Sequence, residues 1–183
     1  MMKKQRYLDR FWLIFKYVLC SIFIAFILRG FLFIPVPVEG NSMENVLKQG
    51  DMVVMEKFSK IKRFDVVVFQ LADGTIYIKR IIGLPGETVS YEKDRLKIDG
   101  KVVEEPFLTK NRKLDHKSIP YTTDFTLEEL TNQIRLPEDS YFVLGDNRRV
   151  SKDSRSFGMI TEKDILGKAR FVYYPFQEIK WIK

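Results

Sequence analysis

The pattern of apolar and polar positions changes character near residue 36. From Phe11 to Val38 the chain is apolar for 28 residues, with two charges, Lys16 and Arg29. A spanning helix needs roughly 20 mainly apolar residues, so the run predicts an N-terminal transmembrane anchor over residues 11–35. Lys16 and Arg29 would stand about 20 Å apart along a helix, and each can snorkel outward to a headgroup region. Phe31 and Phe33 then fall at the far interface, and Pro35 and Pro37 end the helix. No small-residue cleavage site follows the run and none precedes Cys20, so it reads as an uncleaved, unlipidated anchor.

Beyond Val36 the apolar positions fall into short runs of strand length. Met52–Met55, Asp65–Phe69, Thr75–Ile82, Thr88–Tyr91, Arg95–Asp99, Lys101–Val103, Tyr141–Leu144 and Lys168–Tyr174 predict strands. Gly83–Gly86 is a turn signal, and Asp99-Gly100 predicts a type I′ hairpin. Residues 104–137 are more polar, with Thr126–Glu129 as a capping box for one short helix. Thr161–Leu166, closed by Gly167, predicts a second. The expected architecture is mainly β. A core of residues 36–91 and 138–183 is interrupted by a small insert, residues 92–137, and preceded by the transmembrane helix.

Composition first points elsewhere. The chain has 183 residues, a net charge of +7 and a pI near 9.4, which suggests nucleic acid. The distribution removes that partner. Residues 1–35 hold six cations against Asp9, and the other 148 carry only +2. The basic flank Met1–Arg10 stays cytoplasmic by the positive-inside rule, which puts everything after about Val36 outside the cell membrane. With 45% hydrophobic and 30% charged residues, the chain is not wholly disordered. One Cys excludes a disulfide framework and a Cys-based zinc site. One His makes any Ser-His-Asp triad depend on His116, in the polar insert.

Three constellations carry chemistry. Ser42 follows Gly40 in Val38-Glu-Gly-Asn-Ser-Met43, where a turn can expose a hydroxyl beside a backbone N–H; an ordinary turn serine is the plain alternative. Lys79 shares a strand face with Tyr77 and Ile81. Desolvation there would lower its pKa and let it act as a general base, although an edge-strand lysine reads the same way. Gly145–Gly158 is dense in hydroxyls, with Asp146, Asp153 and Arg155, and reads either as a supporting shell or as a solvated loop.

Taken together, Ser42-Met43, the segment Tyr77–Glu87 and the loop Gly-Asp-Asn-Arg…Ser-Lys-Asp-Ser-Arg resemble the successive motif boxes of bacterial type I signal peptidases. The short insert resembles those of Gram-positive bacteria. The resemblance implies an antiparallel β catalytic core and a serine endopeptidase cleaving signal peptides after small residues, the Ala-x-Ala rule. It implies Ser42 as nucleophile and Lys79 as base, Ser151 orienting that lysine, and Asp146, Asp153 and Arg155 as a structural network with an Asp153–Arg155 pair. The Ser42 N–H would serve an oxyanion hole. Val38, Gly40, Met43, Ile76, Tyr77 and Ile78 would bind an extended peptide, while Met43 and Leu47 could also dip into the membrane interface. No metal or cofactor is implied. Preproteins and the bilayer are the implied partners, with the secretion translocon as a further candidate.

Two positions depart from the family pattern. Gly40 stands where Gram-negative members carry an oxyanion-hole serine, and Asn45-Val46 replaces the usual Pro-Thr. Two other readings use the same residues. A self-cleaving repressor would carry a helix-turn-helix in place of the anchor. An inactive or specialised paralogue would act as an assembly chaperone or binding module, for example for pilus subunits.

Overall fold

The computed structural model describes residues 2–27, 34–115 and 119–182. Arg29, Phe31, Phe33 and His116, with the expectations attached to them, lie outside the described residues. The chain divides into two compact units, Met1–Ile34 and Pro35–Lys183.

The first unit contains helix α1, Met2–Ile27, whose side chains from Phe11 to Phe26 are all exposed. Residues 28–33 of the anchor predicted over residues 11–35 lie outside the described residues; among the described residues, no helix is long and apolar enough to cross a membrane.

The rest of the chain is mostly antiparallel β. In order come β1 (Ile34–Pro37), β2 (Met52–Glu56), β3 (Val66–Gln70), β4 (Ile76–Gly83), β5 (Val89–Glu92), β6 (Arg95–Ile98), β7 (Lys101–Val103), α2 (Thr109–Leu114), β8 (Phe125–Thr126) and α3 (Leu127–Thr131). Then follow β9 (Ser140–Leu144), α4 (Ser154–Phe157), β10 (Ile160–Thr161), β11 (Ile165–Tyr174) and β12 (Lys180–Trp181). The larger sheet has the order β1-β2-β11-β3-β4-β9-β10, with β12 paired to β11; the smaller is β7-β6-β5-β8. β11 is long enough to bridge two neighbours: Ile165–Lys168 pairs with β3 and Lys168–Tyr174 with β2.

Local signals explain several elements. Asp99 and Gly100 both have positive φ, 48° and 75°, as a type I′ turn requires at both central residues. Lys93 and Asp94 make the same kind of turn, at 50° and 61°, without a glycine. α3 opens on the Thr126–Glu129 capping box. The helix predicted at Thr161–Leu166 is instead one 3-10 turn, Glu162–Asp164. Its cap forms, with Thr161 N–H donating to Asp164 at 2.7 Å. Sheet pairing then takes the next residues, because Ile165 pairs with Phe69 and Gly167 with Val68.

The core has two faces, set by the period of two along β4 and β9. Tyr141 and Val143 pack with Val67, Phe69, Ile81 and Ile160 on one face. Phe142 and Leu144 pack with Ile82, Val89, Tyr91 and Leu96 on the other, joining the two sheets. Burying each such side chain stabilises the fold by about 1.5–3 kcal/mol. The same alternation sends Tyr77, Lys79 and Ile81 to one face of β4 and Arg80 and Ile82 to the other.

Candidate active site

Lys79 sits opposite Val67 in the β3–β4 ladder and is only 3% exposed. Its Nζ donates to Ser42 Oγ at 2.6 Å and to the Ile78 carbonyl at 3.0 Å, and lies 5.3 Å from the Tyr77 ring centroid. Burial pulls its pKa from the usual 10.5 down to about 8, against the opposing pull of the Asp153 and Asp146 charges. Removing a cation from water disfavours the charged form, so the direction follows from the dry strand face.

Ser42 reaches this lysine from a tight turn. Gly40 enters it at φ +74°, which favours glycine. Within the turn, Glu44 N–H donates to the Asn41 carbonyl at 3.2 Å and Leu47 N–H to the Met43 carbonyl at 2.8 Å. Met43 and Leu47 are 1% and 0% exposed. They anchor the turn in the core, which corrects the expectation that they dip into a membrane interface. Among the described residues the Ser42 N–H has no hydrogen-bond partner.

The loop after β9 clamps the turn from the other side. Asn147 N–H donates to the Ser42 carbonyl at 3.0 Å, and Asn147 Nδ2 to the Asn41 carbonyl at 3.3 Å. Only a glycine fits at position 145, because a Cβ there would lie 2.1 Å from Ser151 Oγ and 2.5 Å from the Ser42 carbonyl oxygen. Asp146 and Arg80 form a fully buried two-pronged pair, Nε–Oδ1 2.8 Å and Nη2–Oδ2 2.6 Å. Asp153 accepts Arg155 Nε and Nη2, each at 2.9 Å, and the Gly145 N–H at 3.0 Å. Ser151, which the resemblance implied would orient Lys79, lies beside the turn, with its Oγ close to where a Cβ at position 145 would stand. Its Oγ is buried without a hydrogen-bond partner, and the bonds of Lys79 Nζ go to Ser42 and Ile78.

Ser42 and Lys79 open onto a groove of about 830 Å³. One wall runs from Val36 through Val38, Gly40 and Met43; the other runs from Gly74 through Ile76, Tyr77 and Ile78, with Val150 and Lys152 closing it. Among the described residues no cluster of three or more His, Cys, Asp or Glu side chains could hold a metal ion.

Sequence reasoning missed several supporting residues. Arg80 is one. Arg148 is another: buried, it pairs with Glu105 at 2.6 Å, meets Tyr91 OH, and donates to Thr122 Oγ1 at 3.1 Å and the Gly145 carbonyl at 3.0 Å. Asn111 and Tyr121 in the insert are the others, both bonded to the Asp146 carbonyl. No local pattern marks any of them, because their partners lie far away in sequence.

The chain is similar to known proteins of one family. The family model described as signal peptidase, peptidase S26, matches residues 11–174. Signal peptidase I of Bacillus caldolyticus is 44% identical over 157 residues, which cover 82% of this chain and 85% of that one. Signal peptidase I V of Bacillus subtilis is 43% identical, over 86% of this chain and 95% of that one. The crystal structure of a signal peptidase I from Enterococcus faecalis superposes with a TM-score of 0.58 at 43% identity, covering 61% of this chain and 98% of that one. The chain, with its Ser42–Lys79 contact at the end of an apolar groove, belongs to the signal peptidase family, peptidase S26.

Proposed function

We propose that this chain is a serine endopeptidase that removes signal peptides from exported preproteins, with Ser42 as nucleophile and Lys79 as general base. The observation that carries the reading is the 2.6 Å contact between Ser42 Oγ and the buried Lys79 Nζ. With a pKa near 8, a useful fraction of Lys79 is neutral at physiological pH, and its lone pair can take the Ser42 proton. Ser42 Oγ then bonds to the scissile carbonyl carbon. As the C–N bond breaks, the proton passes from Lys79 to the leaving amine. Water, deprotonated by the same lysine, releases the acyl group and restores Ser42. The free Ser42 N–H points to one donor for the oxyanion, a contribution of a few kcal/mol; a second donor comes from elsewhere, since Gly40 has no hydroxyl.

The groove supports an extended substrate lying between Val36–Gly40 and Thr75–Ile78, with main-chain bonds for affinity and side-chain pockets for selection. Met43 and Ile78, both buried, form an apolar floor suited to small residues. The exposed apolar side chains of α1, Phe11 to Phe26, support association with a bilayer. The secretion translocon, as the supplier of preproteins, is the neighbouring partner that this reading implies.

The test is processing of a preprotein by the full chain in membranes. Ser42→Ala and Lys79→Ala are each expected to abolish cleavage. Wild-type processing by either variant would remove the dyad.

A further inference from the structure

The nucleophile turn is held by a residue of the insert. Asn111, on α2, is 4% exposed. Its Nδ2 donates to the Glu44 carbonyl at 2.8 Å and to the Asp146 carbonyl at 2.9 Å. Both of those partners can only accept, so they dictate which way the amide faces. The two hydrogens of Nδ2 are thereby used, and Oδ1 accepts from Asn45 Nδ2 at 3.0 Å. Tyr121 OH, 3.2 Å from Asn111 Nδ2, adds its own bond to the Asp146 carbonyl at 3.0 Å.

The carbonyls joined by Asn111 belong to the two halves of the site. Glu44 is two residues beyond Ser42, in the same turn. Asp146 grips Arg80, the neighbour of Lys79 on β4. Beside the Asn147 bonds to the Ser42 and Asn41 carbonyls, a second path from nucleophile to base thus runs through this amide, 67 positions from Glu44 and 35 from Asp146. We propose that Asn111 is a positioning residue for Ser42: it fixes the distance from the Ser42 turn to the β4–β9 scaffold that carries Lys79, while Asn45 locks its amide in place. Asn45 occupies a position at which this sequence departs from the family's usual proline, so a side-chain clasp here does the work of a fixed φ. The insert is, on this account, part of the catalytic frame. The proposal rests on the Ser42–Lys79 reading above.

The test uses full-length protein in detergent micelles, a signal-peptide substrate, and rates normalised to the folded fraction. Asn111→Asp turns a carboxylate onto two carbonyl oxygens with almost no change in volume. It is expected to lower kcat about tenfold or more, the scale of a sub-ångström to ångström misplacement, with KM nearly unchanged and the pH midpoint of kcat/KM kept. Asn45→Ala, a milder change that leaves the core alone, is expected to lower kcat about threefold, as for one neutral hydrogen bond. It should have no further effect in an Asn111→Ala background. Wild-type kcat in the Asn111→Asp variant, a loss accounted for by unfolded protein, or independent multiplication of the Asn45 and Asn111 effects would overturn the proposal. Ser42→Ala and Lys79→Ala, measured in parallel, separate the two questions: activity in those variants ends the dyad reading whatever Asn111 does.

Discussion

Replacing Lys79 by methionine is expected to end catalysis and to stabilise the protein at neutral pH. The magnitude follows from the site. Burial lowers the lysine from 10.5 to about 8. Each tenfold loss of proton affinity corresponds to about 1.4 kcal/mol, so holding the protonated side chain in the fold costs about 3 kcal/mol. The unfolded chain binds this proton more tightly. The cost is therefore complete below pH 8, shrinks between pH 8 and 10.5, and disappears above that. Methionine keeps most of the stem packing but forfeits the bonds to the Ser42 hydroxyl and the Ile78 carbonyl, together about 2 kcal/mol. The net gain expected at pH 7 is about 1 kcal/mol. Urea unfolding of wild type and variant at pH 7 and pH 10 measures it. The advantage of the variant should fall by about 2–3 kcal/mol between those pH values. A variant less stable than wild type at pH 7, or a difference indifferent to pH, would show that the lysine is not held against its solvation preference and would remove the basis for its neutrality.

Two further outcomes follow from the same geometry. If neutral Lys79 is the base, kcat/KM should climb about tenfold from pH 7 to pH 9 and level off, following the deprotonated fraction of a group with a pKa near 8; a flat profile would count against lysine. Gly145→Ala should lose activity and about 1–3 kcal/mol of stability, because its Cβ would collide with Ser151 Oγ and the Ser42 carbonyl oxygen; equal thermal midpoints and equal rates would show that the loop has room to retreat.

What could be read from the sequence was local. The Asp99-Gly100 turn and the Thr126–Glu129 cap are complete within four residues, so propensity alone specifies them. The face of β4 that carries Lys79 follows from a period of two. The burial of Met43 and Leu47 was not legible, since a short apolar pair beside an apolar helix looks the same whether it enters lipid or core. Arg80, Arg148 and Asn111 were invisible for a different reason. Each has a partner 26 to 67 positions away, and polar residues that satisfy one another in the interior resemble surface residues when seen one at a time. The turn at Glu162–Asp164 failed by competition: its cap signal was sound, but pairing of Ile165 and Gly167 with β3 stopped the helix after one turn.

Lys79 and Arg80 are consecutive cations with opposite fates. The pleat of β4 works as a sorting device, turning one toward Ser42 and the other toward Asp146. A lysine can shed its proton near pH 8 in this setting, whereas a guanidinium never does so in a protein. A slip of one residue between β3 and β4 would exchange them. The hydroxyl would then face a permanent cation, and the carboxylate would face a side chain unable to fill its fork. Such a shift leaves composition and fold class untouched yet takes the Lys79 lone pair out of reach of Ser42. The ladder from Val66–Arg80 to Gln70–Ile76 is therefore more than scaffolding: its register decides which of two neighbouring charges is allowed to become neutral.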